Sequence, residues 1–199
     1  MEIDIYTLAH EIKNPLAVAS GYVEMSNEKN FSKYKELINN NIKEALQILD
    51  SYLEFNKLNV EKEIIDIILL LEEISNNYKD LFKIKIIIVS IYDELFIEGD
   101  YYKLKQVFNN LIKNSIEAGS KNISLFTKVI DNDVIIRVVD DGTGFNNIDN
   151  LEGYSSKING HGIGLLITKK IIESHSGTIE YANNDDVGCN VIVKLPIKL

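Results

Sequence analysis

From residue 2 to about residue 57 apolar and polar positions follow a helical period, and Gly21 is the one glycine in that stretch. Ile5, Leu8, Ile12, Leu16, Ala19 and Val23 recur at steps of three or four. At ~100° per residue they form an apolar stripe roughly 80° wide. The polar stretch 27–31 reads as a turn, and Ser32 is suited to cap a second helix. In that helix Ile38, Ile42, Ala45, Leu49 and Leu53 repeat the spacing. Two such helices joined by a short loop pack as an antiparallel hairpin. Each hairpin keeps an apolar face that it cannot cover alone, so a homodimeric four-helix bundle is the expected assembly.

Past Asn56 and Lys57 the pattern changes, and a second domain is expected to begin at 58, giving 1–57 and 58–199. Short apolar runs and changes of period predict a strand near 63–67, a helix over 69–82 and a strand over 84–91. A helix over 101–118, strands near 122–129 and 134–139, a helix over 162–175, and strands near 178–182 and 190–195 complete the chain. Asp131, Asn132 and Asp133 suit a hairpin turn between two of those strands. Helices interleaved with mostly antiparallel strands imply an α+β class, with the helices on one face of a sheet.

Composition narrows the function. The 199 residues suffice for one large or two modest domains, and 45% hydrophobic with 26% charged residues excludes a disordered chain. A net charge of -9 argues against binding nucleic acid through bulk charge, and Arg137 is the single arginine. Cys189 is the only cysteine, which excludes an intramolecular disulfide and points to a reducing compartment. No apolar run approaches the ~18 residues of a membrane span. The acidic N-terminus lacks the layout of a signal peptide. A soluble, cytoplasmic protein is the expectation.

Three segments carry candidate chemistry. His10 lies ~160° from the centre of the first apolar stripe, Asn14 one turn further along the same outer face, and Glu11 beside it. A solvated polar face would look the same. A neutral imidazole beside a carboxylate is also what a nucleophilic histidine needs, because the carboxylate orients the ring and takes its proton. Pro15 sits deep in this helix, where proline costs ~3 kcal/mol. Broken local rules of that kind mark functional or strained sites. On the helix predicted over 101–118, Asn110 and Asn114 are one turn apart, spaced to reach a hydrated magnesium ion and its phosphates from one side. Where a strand ends, Asp140 precedes Gly142 and Gly144, so a carboxylate meets backbone that a flat ligand can approach. A tight Asp-Gly turn explains the same residues. Gly160, Gly162 and Gly164 then alternate before a helix N-terminus, which suits a phosphate held by free N–H groups. No strand precedes them in a βαβ unit, so a dinucleotide-binding reading is disfavoured.

In this order and spacing the segments resemble the catalytic core of two-component sensor histidine kinases, over essentially the whole chain. His10 to Leu16 is similar to the H box, Asn110 to Asn114 to the N box, Asp140 to Gly144 to the G1 box and Gly160 to Gly164 to the G2 box. Tyr154 to Lys157 resembles the segment before the G2 box, whose aromatic residue anchors an ATP lid. The motif style is most similar to sporulation and nitrogen-regulation kinases. The resemblance implies a helical hairpin forming a dimeric four-helix bundle for dimerization and phosphotransfer (1–57). It implies a two-layer α/β sandwich of Bergerat type that binds ATP (58–199).

It also implies roles. His10 would accept the γ-phosphoryl group of ATP, with Glu11 as general base and Asn14 orienting water for dephosphorylation of a response-regulator receiver domain. The ATP site would comprise Asn110, Asn114, Asp140, Gly142, Gly144, Lys157, Gly160, Gly162, Gly164 and Leu165. Within it Asn114 would be the Mg2+ ligand, Asp140 the adenine reader and Lys157 a candidate phosphate contact. Asn110 stands where gyrase-like relatives carry a glutamate base for water, which fits transfer to histidine rather than hydrolysis.

Two positions depart from the pattern. Glu117 stands where many such kinases have a lysine or arginine, and Tyr154 replaces a phenylalanine. Two other readings remain: a scaffold with a degenerate ATP site, and a Bergerat-superfamily ATPase. With nine residues before His10, the chain is expected to be a minimal kinase or a fragment. His161 is expected to be exposed between its glycines, His175 to be a helix C-terminal residue where a cation is favoured, and Cys189 to be a packed small residue at a strand start.

Overall fold

The computed structural model describes residues 5–56, 59–145 and 163–197. They form two compact units, one built on an N-terminal helical hairpin and the other on the helices and strands that follow.

In the hairpin, α1 (Ile5–Met25) runs through Pro15 without interruption, and α2 (Phe31–Asn56) returns against it. Leu8, Ala19, Ala45 and Ile48 are buried in the seam between them. The rings of Tyr22 and Tyr34 stack near the turn, 5.5 Å apart. Ser32 is not the cap expected from sequence, because α2 starts one residue earlier, at Phe31. Two asparagines close the turn instead. Asn27 Oδ1 accepts from the Lys29 N–H, Asn30 Oδ1 accepts from the Asn27 N–H, and the Asn30 carbonyl accepts from Lys33. Asn30 Nδ2 also donates to the Met25 carbonyl, so its amide accepts and donates at once and the pair fastens the turn from both sides. Much of the apolar stripe stays exposed in one copy, including Leu16, Val23, Ile42, Leu46, Leu49 and Leu53.

The second unit is an α/β sandwich. Strand β1 (Glu63–Asp66) leads into α3 (Ile67–Phe82), which begins two residues before the start predicted from periodicity. The reason is its cap. Asp66 Oδ1 accepts from the N–H of Ile68, and also from that of Leu95. Then come β2 (Lys85–Val89), β3 (Phe96–Gly99), α4 (Tyr101–Glu117), β4 (Asn122–Ile130), β5 (Asp133–Asp140), α5 (Ile163–Ser174), β6 (Thr178–Asn183) and β7 (Cys189–Pro196). Five strands form one sheet in the order β2-β4-β5-β7-β6, antiparallel except for the parallel pair β2 and β4. The small β3, absent from the sequence reading, pairs antiparallel with β1. Its four residues are too few to show a period, and its partner is remote in sequence. At the turn between β4 and β5, Asp131 adopts a left-handed conformation (φ 54°) that aspartate tolerates better than most residues.

Alternate residues of the central strands, among them Ile123, Leu125, Val134, Ile136, Val138, Val191 and Val193, are buried. So are Leu70, Leu71 and Ile74 of α3, Leu104, Phe108 and Ile112 of α4, and Ile167 and Ile171 of α5. Strands thus contribute one face each and helices one stripe each, the period-two and period-3.6 patterns of a two-layer core. Among the described residues no helix is long and apolar enough to cross a membrane.

Candidate functional site

Asp140 is the last residue of β5 and is 4% exposed. Its carboxylate is surrounded by donors from three parts of the unit. Oδ2 accepts from Ser115 Oγ on α4 at 2.7 Å and from Cys189 Sγ at the start of β7 at 2.9 Å. Oδ1 accepts from the Gly142 N–H at 2.9 Å and the Cys189 N–H at 3.3 Å. A buried carboxylate is tolerated because its lone pairs are satisfied. Cys189 is therefore more than the packed small residue expected at a strand start, since both its backbone and its thiol bond to Asp140.

The neighbouring Asp141 has another task. It is exposed, and its carboxylate accepts from the N–H groups of Lys121 and Asn122 and from the Asn122 amide. Those bonds, the Asn122 N–H first, hold its carboxyl below the ordinary range and fasten the entry to β4. Of the two adjacent aspartates, Asp140 faces the interior of the unit.

The glycines after Asp140 are sterically required. A Cβ on Gly142 would come within 2.6 Å of Ser120 Oγ and 2.9 Å of the Ala118 carbonyl. Gly144 has φ +70°, and a Cβ there would approach Asn183 Oδ1 to 2.7 Å. Sequence reasoning missed two residues that shape this loop. The Asn183 amide clasps Phe145 reciprocally, accepting from its N–H at 2.7 Å and donating to its carbonyl at 2.8 Å. Asn184 Nδ2 donates to the Asp140 carbonyl at 3.0 Å and to that of Val187 at 2.9 Å. An Asn-Asn pair between two strands signals only a turn, so these roles had no local signature.

On α4, Asn110 and Asn114 are half-buried, one turn apart. Asn110 Nδ2 lies 3.5 Å from both the Gly164 carbonyl and Thr168 Oγ1, so it faces the first turns of α5. Gly164 and Leu165 lie in the first turn of α5, and both are half-buried. All of Asn110, Asn114, Asp140, Gly142, Gly144, Gly164 and Leu165 lie in the second unit, where Asn110 meets Gly164 and Asp140 bonds to Gly142 and to Ser115, the residue after Asn114. Lys157, Gly160 and Gly162 lie outside the described residues, as do Tyr154 and His161. In the hairpin, His10 and Asn14 are exposed one turn apart on α1, with Glu11 half-exposed beside His10.

His175 corrects another expectation. It does stand at the C-terminal end of α5, but it is 2% exposed and is not the cation favoured there. Its Nε2 accepts from the Asp100 N–H at 2.9 Å, and its Nδ1 donates to the Ile171 carbonyl at 2.7 Å. Those partners fix a neutral tautomer, and burial is the main reason the imidazole pKa is pushed below its ordinary value. Asp100 in turn caps α4 through Oδ1 and accepts from the Glu61 N–H through Oδ2.

A two-layer α/β unit with a buried carboxylate at a strand end, obligatory glycines behind it and asparagines on the facing helix defines a class of ATP-binding domain. Residues 99–199 match the family described as histidine kinase-, DNA gyrase B-, and HSP90-like ATPase, and residues 5–61 match the His Kinase A (phospho-acceptor) domain. Sporulation kinase B of Bacillus subtilis (strain 168) is 35% identical over 97% of this chain, and sporulation kinase E of the same organism is 30% identical over 96%. The chain spans 49% of the first relative and 28% of the second. The fold is shared with the histidine kinase ThkA as solved in complex with the response regulator protein TrrA. That likeness has a TM-score of 0.80 and 24% identity, and covers 96% of this chain and 60% of the other. The chain belongs to the sensor histidine kinases, as a catalytic core.

Proposed function

We propose that this chain phosphorylates itself on His10 from Mg-ATP and passes the phosphoryl group to an aspartate on a response-regulator receiver domain, with dephosphorylation of that regulator as a second activity. The observation that carries the reading is the buried, donor-lined Asp140 in one unit of a chain whose other unit exposes His10 and Asn14 on one helix, with Glu11 half-exposed beside His10. The hairpin, 1–57, is the dimerization and phosphotransfer domain, and 58–199 binds ATP.

Each residue has a chemical task. Asp140 accepts a hydrogen bond from the adenine amino group. The backbone at Gly142 and Gly144 makes room for the base, and the start of α5 at Gly164 and Leu165 faces the phosphates with its N–H groups and positive dipole end. Magnesium would neutralise charge on the phosphates as the phosphoryl group leaves. The donor set fits that ion. Among the described residues no group of three or more His, Cys, Asp or Glu could cage a metal. Mg2+ ordinarily takes one or two protein oxygens, several waters and the substrate's phosphates, a mode that the Asn114 amide oxygen suits. His10 attacks as the neutral imidazole, Glu11 takes its proton, and Asn14 orients the water of the reverse function. Asn110, engaged with α5, offers no carboxylate to activate water against ATP, which supports transfer over hydrolysis.

The test is labelling with γ-phosphate-tagged ATP. A phosphohistidine is acid-labile and base-stable. His10→Gln should abolish the label and keep ADP binding, and Glu11→Gln should slow labelling roughly 10²- to 10⁴-fold, the worth of a general base. Label persisting on His10→Gln, or an acid-stable product, would overturn the assignment.

A further inference from the structure

The acceptor capacity of Asp140 is already full. A carboxylate offers about four lone-pair directions, and four protein donors occupy them: Ser115 Oγ and Cys189 Sγ on Oδ2, Gly142 N and Cys189 N on Oδ1. An adenine amino group can bond to this carboxylate only by taking the place of one of them. We propose that adenine displaces the Cys189 thiol from Asp140, and that Cys189 is thereby a positioning residue that sets how strongly the site prefers adenine. This rests on the reading of Asp140 as the adenine acceptor.

The four donors differ in what their loss costs. The Gly142 N–H is fixed by a turn packed against Ala118 and Ser120, where not even a Cβ fits. The Cys189 N–H begins β7, and the chain before it is pinned by Asn184 Nδ2, which bonds to the Asp140 and Val187 carbonyls. Ser115 makes the shortest bond of the four, from a buried position on α4; a hydroxyl is the stronger donor, and its Oγ also lies 3.2 Å from the Leu111 carbonyl, so the helix backbone holds it beside Oδ2. The thiol differs in both respects. An S–H is a weak donor, so its bond to the carboxylate is the least costly of the four to give up, and a buried cysteine packs as a small apolar group. It can also leave by rotation about one bond, with no backbone shift. Ser115, by contrast, stays and holds Oδ2 while the base arrives, tying the helix of Asn114 to the adenine carboxylate.

Because Cys189 is the only cysteine, the S–H stretching band in a Raman spectrum reports on this one group. In the unsubstituted full chain the band should lie at a strongly hydrogen-bonded position and shift to higher frequency, toward weaker hydrogen bonding, on saturation with Mg-ADP. It should stay in place with Mg-IDP, whose base has a carbonyl where adenine has the amino group. Calorimetry on variants reads the same competition. Cys189→Ser installs a stronger donor that adenine must displace, so the preference for ADP over IDP should fall about three- to tenfold. Cys189→Ala removes the competitor and should bind ADP at least as tightly as the parent chain. A band that does not move when calorimetry shows ADP bound, or that moves equally with IDP, overturns the proposal, as does an undiminished ADP preference in Cys189→Ser. Asp140→Asn separates the two ideas. If it binds ADP as tightly as the parent, the adenine reading of Asp140 itself fails.

Discussion

At the scale of single residues, His175 shows how burial changes what a side chain can be. From sequence it is a histidine at a helix end, where a cation gains from the dipole. In the fold its acceptor nitrogen is taken by the Asp100 N–H, and protonating that nitrogen would break the bond. Burial lowers its pKa most, Lys62 adds to the lowering, and the Ile171 carbonyl and Asp100 oppose it. The folded ring therefore holds its proton less tightly than the unfolded one, whose ordinary value is 6.5. As pH falls below that value the unfolded chain is protonated first. The stability due to a neutral His175 is full above about 6.5 and is lost as pH falls through the folded pKa. Urea unfolding followed from pH 8 to pH 5 should show that loss. His175→Gln, whose amide oxygen can accept from Asp100, should flatten it. His175→Ala should cost about 2–5 kcal/mol at pH 8, because it leaves a cavity and an orphaned N–H. The sequence marked this histidine but held no sign of Asp100, a partner that only the fold supplies.

At the scale of elements, the turn between β6 and β7 shows the same limit. The helices, most strands and the Asp140 loop were legible, because their periods and glycines are local signals. The turn's hold on Asp140 was not. Gly188 has φ +84°, and a Cβ there would overlap the Asp140 carbonyl. Gly119 has nearly the same conformation, φ +83°, but open space around it. The two glycines separate backbone preference from contact. Gly119→Ala should cost only the left-handed penalty, about 1–2 kcal/mol, with ADP affinity unchanged. Gly188→Ala adds a clash to that penalty and should cost more than about 3 kcal/mol. It should also weaken ADP binding, because the strand end that carries Asp140 must shift. Thermal unfolding and calorimetry on both variants check the contrast. Equal effects from the two would mean that the turn does not position Asp140. Strand β3 and the cap of α3 went unread for a related reason. Asp66 accepts from Leu95 as well as from Ile68, so the start of that helix is set partly by a residue outside it.

At the scale of the whole molecule, the open apolar face of the hairpin decides the assembly. The helical period of residues 5–56 was plain in the sequence, but not which apolar positions face the neighbouring helix and which face outward. The structure divides them. Ile48 is 2% exposed and lies inside a single hairpin, whereas Leu49, beside it in sequence, is 38% exposed. Leu16, Ile42, Leu46 and Leu53 are at least as open as Leu49. Scattered apolar residues on a surface need no explanation, but a row along two adjacent helices does. A second copy related by a two-fold axis would present the same row to it and complete a four-helix bundle. Sedimentation should therefore find a dimer at micromolar concentration. Leu49→Lys places an ammonium group in the bundle core and should weaken the dimer at least about tenfold while leaving helix content unchanged. Ile48→Lys is the contrasting change. It puts the charge inside one hairpin and should lower helix content as well as dissociate the dimer. ADP binding, which belongs to the other unit, should survive in both variants. A parent chain that sediments as a monomer, or a Leu49→Lys dimer as tight as the parent's, would show that this face serves something other than self-association.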